Sequence, residues 1–432
     1  MEKLNISNLN YYLLILLPIT IITGPALTEL TVILLSAMFL YLFIIDKDKS
    51  KYNLTLIYLF IFLYLYLNIS SIFSSDWYQT FSHTLIYFRY IFFTLAIYLL
   101  LLNNENFLKY FTIIFLLVYF FVIFDALIQY FTGYNIFLFA LTNNRLSGVF
   151  RDELILGSYL AKFFPFVLSL YLYIFYKKNI RFDKFLIFLI FILSFLLTFL
   201  SGERSAFILI IISQFLFIFF IFKINFLKLF FIFFILVSTI FVFLLFDNTL
   251  KQRMIDHTFN QVFYKVHQDE NVVCNDDVKD CYYKFRLYSI SHQGHIQSSL
   301  KMFLDKPIIG QGVKMFRIKC NEEKFISNAG CSTHPHNIFF QILAELGIIG
   351  VFFYLIFYVY IFGKFFKNYI LYKKNHSNLI IFQNGLFVFF IINLFPFLPA
   401  GDIFNNYNSI KIYLPLGFLI YTLYKEKNEY IR

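Results

Sequence analysis

Residues 185–222, FLIFLIFILSFLLTFLSGERSAFILIIISQFLFIFFIF, contain two apolar runs that are separated only by the polar turn SGERS at 201–205. The first run covers 185–200 and the second covers 205–222. An α-helix rises about 1.5 Å per residue, so a run of roughly 17–25 apolar residues can cross the hydrocarbon core of a bilayer. This stretch therefore predicts two membrane-spanning helices that are joined by a tight polar turn.

The same pattern extends over the whole chain of 432 residues, of which 60% are hydrophobic and only 14% are charged. This composition excludes a purely soluble enzyme, a disordered chain and a secreted disulfide scaffold, because none of these hides so much apolar surface from water. Continuous runs, rather than alternating segments of about 10 residues, also exclude an outer-membrane barrel. We predict an all-α polytopic membrane protein with about twelve spans, at 12–27, 30–46, 54–73, 84–102, 108–131, 153–176, 185–200, 205–222, 228–246, 338–363, 378–398 and 408–424.

The distribution of positive charge predicts the orientation of these spans. Lys and Arg cluster after spans two, six, eight and ten and at the end of the chain, whereas the short loops 74–83 and 399–407 carry almost none. By the positive-inside rule both termini are cytoplasmic. Residues 1–246 would then hold spans one to nine, 247–337 a large periplasmic loop, and 338–432 spans ten to twelve. The net charge of +11 does not indicate a nucleic-acid partner, because the charges lie between apolar runs and not on one basic domain.

The polar segment, residues 247–337, contains two sets of apolar residues at helical spacing. They are Ile255, Phe259, Val262, Phe263 and Val266 in the first set, and Ile296, Leu300, Phe303 and Leu304 in the second. This spacing predicts two amphipathic helices at the outer mouth of the bundle. The alternative is a small solvated cap without chemistry.

All four cysteines of the chain lie in the polar segment, at Cys274, Cys281, Cys320 and Cys331. An even number confined to an oxidising compartment favours disulfides. Local pairing would join Cys274 to Cys281 and Cys320 to Cys331, one of three possible connectivities. The alternative is a zinc site built from Cys331, His334 and His336, with Cys320 as a fourth ligand.

Ionisable residues within predicted spans are functional candidates, because hydrocarbon disfavours charge by several kcal/mol. This chain has Arg89, Asp125, Lys162 and Glu345 in such positions. The structural explanation is that they pair with one another, for example Arg89 with Asp125. For the first three we favour that explanation.

A second set of charged residues collects on the predicted outer side, at Arg145, Arg151, Arg204, Arg286, His334 and His336. A guanidinium group pairs bidentately with phosphate oxygens and stays charged. A neutral histidine nearby accepts a proton, since adjacent cations lower its pKa. Together they point to group transfer that involves a lipid diphosphate.

Four segments resemble the O-antigen ligase and polymerase superfamily of bacterial membrane glycosyltransferases. They are THPHNIFFQILAELGIIG at 333–350, SGERSAF at 201–207, FRLYSISHQGHIQSSLKMFLDKPIIGQG at 285–312 and RLSGVFRDELILGSYLA at 145–161. In the first, His336-Asn337 is followed by nine residues and then by Gly347-x-x-Gly350. The two glycines would share a helix face and let a neighbouring helix approach closely.

The resemblance implies a GT-C-like bundle in the bacterial inner membrane, with its active site facing the periplasm and no cofactor or metal. The donor would be a glycan on undecaprenyl diphosphate. The acceptor would be a lipid A–core sugar hydroxyl for a ligase, or a growing glycan for a polymerase, and membrane lipids would surround the site. Arg204 and Arg286 would hold the diphosphate, and His336 would be the general base. The substrate-binding candidates are Arg145, Arg151, His334 and Asn337, although a structural role suits His334 better.

Ligase is the favoured interpretation, and a polymerase of the same superfamily is the first alternative. A lipid-linked glycan flippase or a transporter would also have about twelve spans and interior charges. Such proteins more often show internal repeats and broken helices, and they do not need an outer loop of this size. A structural scaffold would leave the outer arginines and histidines without a task.

Overall fold

The structure is a computed structural model that describes residues 2–46, 48–52, 55–104, 106–176, 181–222, 234–235, 237–238, 247–266, 282–327, 330–372 and 377–429. Its first half consists of helices, which are α1 (Glu2–Thr23), α2 (Pro25–Ile45), α3 (Thr55–Ile72), α4 (Trp77–Leu85), α5 (Phe88–Asn103), α6 (Phe107–Thr132), α7 (Leu156–Ile174), α8 (Arg181–Leu200) and α9 (Arg204–Leu216). The second half has α10 (Asn248–Lys251), α11 (His257–Val262), β1 (Phe263–Val266), β2 (Tyr282–Phe285), α12 (Ile290–Asp305), α13 (Phe316–Lys319), α14 (Ile338–Tyr372), α15 (Asn378–Asn393) and α16 (Asn406–Glu429).

Within the described residues, eight helical segments are long and apolar enough to cross a membrane, and α15 and Asn8–Thr23 are shorter apolar helices. This confirms an all-α polytopic membrane protein. The predicted span 228–246 lies mostly outside the described residues, and the count of twelve stays a prediction. Helix α7 is central to the bundle, because nearly all of its side chains are buried and it packs against α8, α9 and α15.

The segment 74–83 is not the simple loop that its polar composition predicts. Asp76 accepts a hydrogen bond from the Gln79 amide at 3.0 Å and thereby caps α4. The chain then turns at Ile86–Tyr87 before α5 begins, so the predicted span 84–102 is the combination of the end of α4 and α5. A capped helix of nine residues with mixed polarity carries no transmembrane signal, which is why hydropathy misses it.

The first predicted amphipathic helix of the polar segment is only partly correct. Residues 257–262 are helical, but Phe263–Val266 form a strand that pairs antiparallel with Tyr282–Phe285, with Phe263 opposite Phe285. In so short a stretch the positions of Phe263 and Val266 fit the helical period, while the long-range pairing with β2 decides the structure.

The second predicted amphipathic helix lies within α12, but its apolar side is not its buried side. Leu300 and Leu304 are exposed on α12, whereas His295, Ser298 and Met302 are buried. Helix α12 packs with this polar face against α14. The polar segment thus directs histidine towards the membrane bundle and aliphatic side chains away from it.

Helix α14 is interrupted at Gly347, whose φ of 62° and ψ of −161° are not helical. The loop 306–312 enters this break, where Gln311 N donates to Ala344 O at 3.0 Å and Ile348 N donates to Pro307 O at 2.9 Å. A Cβ atom on Gly347 would lie 2.5 Å from the Ile308 carbonyl oxygen. Close helix–helix approach is therefore the wrong explanation for Gly347, because its neighbour is a loop and its backbone conformation favours glycine.

The pairing of Arg89 with Asp125 is also wrong. Arg89 Nε lies 2.5 Å from Glu29 Oε1, and its Nη2 donates to Tyr90 and to Asn406, so its partners come from α2, α5 and α16. Asp125 instead accepts hydrogen bonds from Ile136 N at 2.9 Å and Asn135 Nδ2 at 3.3 Å, which fix the loop after α6. Both residues are structural.

The other two ionisable residues within spans are buried in different surroundings. Lys162 of α7 is buried, and its carbonyl oxygen accepts from Asn393 Nδ2 of α15 at 3.2 Å. Glu345 of α14 accepts hydrogen bonds from Phe316 N and from Gln341 Nε2, both at 3.2 Å. Glu345 thereby joins the start of α13 to α14 and makes no hydrogen bond to His336.

Candidate functional site

Four histidines lie side by side where α12 meets the start of α14. The His336 ring centroid lies 4.0 Å from that of His334, 5.1 Å from that of His295 and 5.7 Å from that of His292. His292 and His295 are three residues apart on α12, so both point to the same side of that helix. We call these four residues the histidine cluster.

The backbone fixes His336 in an unusual conformation at the entrance to α14. Its φ is 54°, a left-handed value that costs energy for a residue with a side chain. Its carbonyl oxygen accepts a hydrogen bond from Ala400 N at 2.8 Å, and the next residue, Asn337, caps α14 by accepting from Phe340 N at 3.1 Å. The loop before α16 and the helix cap therefore hold this residue in place from both sides.

All four imidazoles favour the neutral form. Burial lowers the pKa of His336, and burial with the neighbouring His336 lowers those of His295 and His334 to about 4. The pKa of His292 is lowered by burial, then by His336 and by Arg204. The expectation that His336 is neutral thus has a physical basis, but the cause is burial and not, as the sequence suggested, nearby arginines.

Hydrogen bonding distinguishes His336 from its neighbours. His334 Nδ1 lies 3.0 Å from Thr333 Oγ1, while His334 Nε2 and His295 Nδ1 are buried without a partner. His336 has no side-chain hydrogen bond to another described residue, and neither of its ring nitrogens is among the buried unpaired atoms. Of the three, His336 is the one whose nitrogen is reachable and uncommitted.

Three arginines surround the turn between α8 and α9, and we call this group the arginine turn. Arg145 Nε donates to Ser201 O at 3.1 Å, and Arg253 Nε donates to Gly202 O at 2.9 Å. Arg204 Nη1 donates to Gln261 Oε1 at 2.6 Å. All three guanidinium groups donate to neutral oxygens. None of them forms an ion pair among the described residues.

The close approach of Arg253 explains the glycine of the SGERS turn. A Cβ atom on Gly202 would lie 2.9 Å from Arg253 Cδ and Nε, and the φ of Gly202 is 70°. Burial lowers the pKa of Arg145, and Arg253 and Arg204 act in the same direction while Glu203 opposes them. Glu203 makes no ion pair with these arginines among the described residues, and its carboxylate accepts from Gly157 N at 2.7 Å and Ser158 N at 3.0 Å at the start of α7.

Arg286 is held next to Arg204 through two consecutive residues of the polar segment. Gln261 binds the Arg204 side chain, and Val262 O accepts from Arg286 N at 2.7 Å. The Arg286 guanidinium carbon lies 3.9 Å from the centre of the Tyr264 ring. It borders a cavity of approximately 330 Å³ that Tyr288 and Gln293 also line. Arg145 and Arg204 thus lie at the same turn, whereas Arg286 is connected to it through the backbone of Val262 and lines a separate cavity.

Two other substrate-binding candidates lie apart from this group. Arg151 is exposed, and its guanidinium carbon is 5.1 Å from the centre of the Phe139 ring. The Asn337 side chain is buried and donates to Pro396 O at 2.7 Å, in addition to capping α14. Asn337 is therefore committed to the fold and offers a substrate no free amide.

Cys320 and Cys331 form a disulfide in the structure, which leaves neither sulfur as the thiolate that the zinc alternative requires. Cys274 and Cys281 lie outside the described residues. Over the described part of the chain, no group of three or more His, Cys, Asp and Glu side chains is arranged to hold a metal ion.

A second group of cations, Lys314 and Arg317, lies near Asp402, two residues after Ala400, whose amide donates to His336 O. We call it the cationic rim. Arg317 Nη2 lies 3.2 Å from Asp402 Oδ2, and both residues influence the pKa of His334. Burial lowers the pKa of the Lys314 ammonium. Arg317 acts in the same direction, whereas Asp402 and Glu345 oppose it. The arginine turn, by contrast, influences His292 through Arg204. Each of the two positively charged groups therefore influences one histidine of the cluster.

Sequence reasoning missed His292, His295 and Arg253. The signal for the first two is the i, i+3 spacing in the helix of segment 285–312, which places both imidazoles on one face. Arg253 has no such signal, because its contact with the 201–204 turn depends on how residues 247–266 fold back.

Comparison with protein-family models matches residues 189–355 to the family described as O-antigen ligase. No curated protein matches the chain. The matched region begins within α8 and ends within α14, and it contains Arg204, Arg253, Arg286 and the complete histidine cluster. This match over residues 189–355 confirms the resemblance to the O-antigen ligase and polymerase superfamily found in the sequence.

Proposed function

We propose that this protein transfers a glycan from undecaprenyl diphosphate to a sugar hydroxyl of lipid A–core at the periplasmic face of the bacterial inner membrane. The observation that carries the proposal is a cluster of neutral histidines beside three arginines that lack acidic partners among the described residues. A base and a diphosphate clamp are the two elements that such a transfer requires.

The arginine turn suits a leaving diphosphate. As the bond between the anomeric carbon and the diphosphate oxygen breaks, the electron pair stays on that oxygen and negative charge grows there. Guanidinium groups already fixed by Ser201 O, Gly202 O and Gln261 stabilise that charge without reorganising. Arg286, held beside them by Val262, adds a fourth fork. Such a clamp supplies the charge neutralisation that a metal ion provides in other transferases.

His336 is the proposed general base. The acceptor hydroxyl oxygen forms the new bond to the anomeric carbon, and its proton passes to an imidazole nitrogen of His336. Because burial lowers the pKa of this residue, the ring is unprotonated at neutral pH and has a lone pair available. Attack from the face opposite the diphosphate inverts the anomeric centre.

A polymerase of the same superfamily is the second candidate, because it would use the same clamp and the same base with a growing glycan as acceptor. The lipopolysaccharide of a deletion strain separates the possibilities. A ligase predicts core-only lipopolysaccharide with polymer retained on the carrier lipid, and a polymerase predicts core that bears one repeat unit. Carrier-linked units trapped on the inner face would identify a flippase and overturn both assignments.

A further inference from the structure

An apolar groove lies between α3, α14 and α16. The groove has a cavity volume of approximately 100 Å³. Its lining includes Leu59 and Leu63 of α3, Ile342 and Phe353 of α14, Phe404, and Tyr413 of α16. Phe62 and Phe352, the sequence neighbours of two lining residues, are exposed on the surface of the bundle. The groove therefore borders the side of the bundle that faces lipid.

The cationic rim adjoins this groove through consecutive residues. Phe404 and Ile403 line the groove, and the preceding residue is Asp402, which pairs with Arg317 and accepts from Gln341 Nε2 at 2.7 Å. Because Asp402 and Ile403 are consecutive residues, the cationic rim lies at one end of the apolar lining of the groove.

The rim carries one positive charge in excess. Asp402 neutralises Arg317, whose side chain is still 37% exposed. Lys314 is half-buried and forms no ion pair with the residues that the structure describes. An uncompensated ammonium group and a partly exposed guanidinium next to an apolar groove suit an amphiphile that has acyl chains and a phosphate headgroup.

The geometry of the reaction indicates which lipid this is. If the arginine turn holds the leaving diphosphate beside His292, an inverting attack must come from the other side of the anomeric carbon. The acceptor hydroxyl would then lie on the side of His336 where Ala400 N donates to its carbonyl oxygen, two residues before Asp402 of the cationic rim. The proposed base, His336, can reach that hydroxyl.

We propose that the groove and the cationic rim hold the lipid-anchored acceptor, with one of its phosphates at Lys314 and Arg317 and an acyl chain between α3 and α14. This assignment rests on the proposed transfer, because only a two-lipid reaction requires a second amphiphile site. It gives the two substrates separate entrances, the donor beside α7–α9 and the acceptor beside α3.

The test measures KM for each substrate with the full-length protein in nanodiscs. The probes are carrier-linked glycan as donor, and lipid A–core, intact or treated with phosphatase, as acceptor. Lys314→Gln should raise KM for intact lipid A–core about tenfold, the loss expected for one charge-assisted hydrogen bond. It should leave KM for the dephosphorylated acceptor and for the donor unchanged. Lys301→Gln is the matched control, because Lys301 is exposed and donates to Ile326 O, away from the groove.

Leu63→Trp fills the groove and should raise KM for both forms of the acceptor, while Phe62→Trp, on the lipid-facing side of the same helix, should not. Leu59→Trp, one turn away, replaces Leu63→Trp if that protein does not insert. An increase in donor KM would assign the groove to the carrier chain and overturn the proposal. Unchanged KM for both substrates would mean that ordinary bilayer lipid fills the groove, which also overturns it.

Binding of lipid A–core without donor separates this proposal from the proposed transfer. If wild-type protein transfers nothing to any acceptor, the proposed function fails. A loss of lipid A–core binding in Lys314→Gln and Leu63→Trp, with Lys301→Gln and Phe62→Trp unaffected, would even then support the lipid site. Wild-type protein that binds no lipid A–core would overturn the lipid site.

Discussion

The arginine turn and the cationic rim are both positively charged, but they hold their cations differently. In the turn, Arg145, Arg204 and Arg253 donate to carbonyl and amide oxygens, and none of them forms an ion pair among the described residues. In the rim, Asp402 pairs with Arg317 and also favours the charged form of Lys314. Concentrated charge suits a diphosphate that gains negative charge during the reaction, whereas one excess charge suits a phosphate that only has to be held. We infer that charge compensation, more than the number of basic residues, separates the proposed catalytic clamp at the arginine turn from the proposed docking site at the cationic rim.

The largest effect is expected for a substitution of His336, the proposed general base. His336→Ala should lower the transfer rate about 10²–10⁴-fold, because general-base catalysis contributes roughly that factor. His334→Ala should retain much more activity, since its Nδ1 is engaged by Thr333. The measurement is transfer in vitro with both mutants at matched protein levels. If His336→Ala is active and His334→Ala is inactive, our mechanism assigns the general base to the wrong histidine.

Arg253→Lys and Arg204→Lys test whether the turn is a catalytic clamp. Lysine keeps the charge but loses the bidentate fork, so we expect kcat to fall about 10–100-fold, with little change in acceptor KM. Arg151→Lys is the control, because Arg151 lies away from the turn on an exposed loop. Wild-type kcat in both Arg253→Lys and Arg204→Lys would mean that the arginine turn is not a catalytic clamp. The proposed difference between the arginine turn and the cationic rim would then be lost.

The Cys320–Cys331 disulfide closes a short loop next to α13, which carries Arg317. The double substitution Cys320→Ser/Cys331→Ser should reduce the free energy of unfolding by about 3 kcal/mol, the entropy effect of closing a loop of this length. Thermal unfolding in detergent measures this loss. Activity of the unaltered protein should survive chelators, whereas stoichiometric zinc that is lost together with activity would contradict the disulfide.

The smallest effect concerns pH. A histidine base works in its unprotonated form, so the rate falls as the pH drops through its pKa. Because burial lowers the pKa of His336 below its ordinary value of about 6.5, kcat/KM should stay level from neutral pH to below that value before it falls. A fall that begins above pH 7 would mean that the imidazole is stabilised as a cation and does not serve as the base.

Hydropathy was sufficient to predict the membrane bundle, because burial in lipid acts on each span separately. Arg204, Arg286 and His336 were proposed as site residues from segments that resemble a family. The strand at Phe263–Val266 and the contact of Arg253 with Gly202 could not be predicted, because they depend on pairing between residues distant in sequence. The same holds for the meeting of His295 with His336, which requires α12 to pack on α14.

The interruption at Gly347 also determines how the protein responds to bilayer thickness. At about 1.5 Å per residue, the 35 residues of α14 would extend well beyond a hydrocarbon core of about 30 Å if the helix were continuous. Loop 306–312 is hydrogen-bonded into the break. The stub that precedes Gly347, residues 338–346 of α14, is therefore attached to the polar segment. A thicker or thinner membrane therefore changes the tilt of residues 348–372 and leaves the stub, with His336 at its entrance, in register with α12.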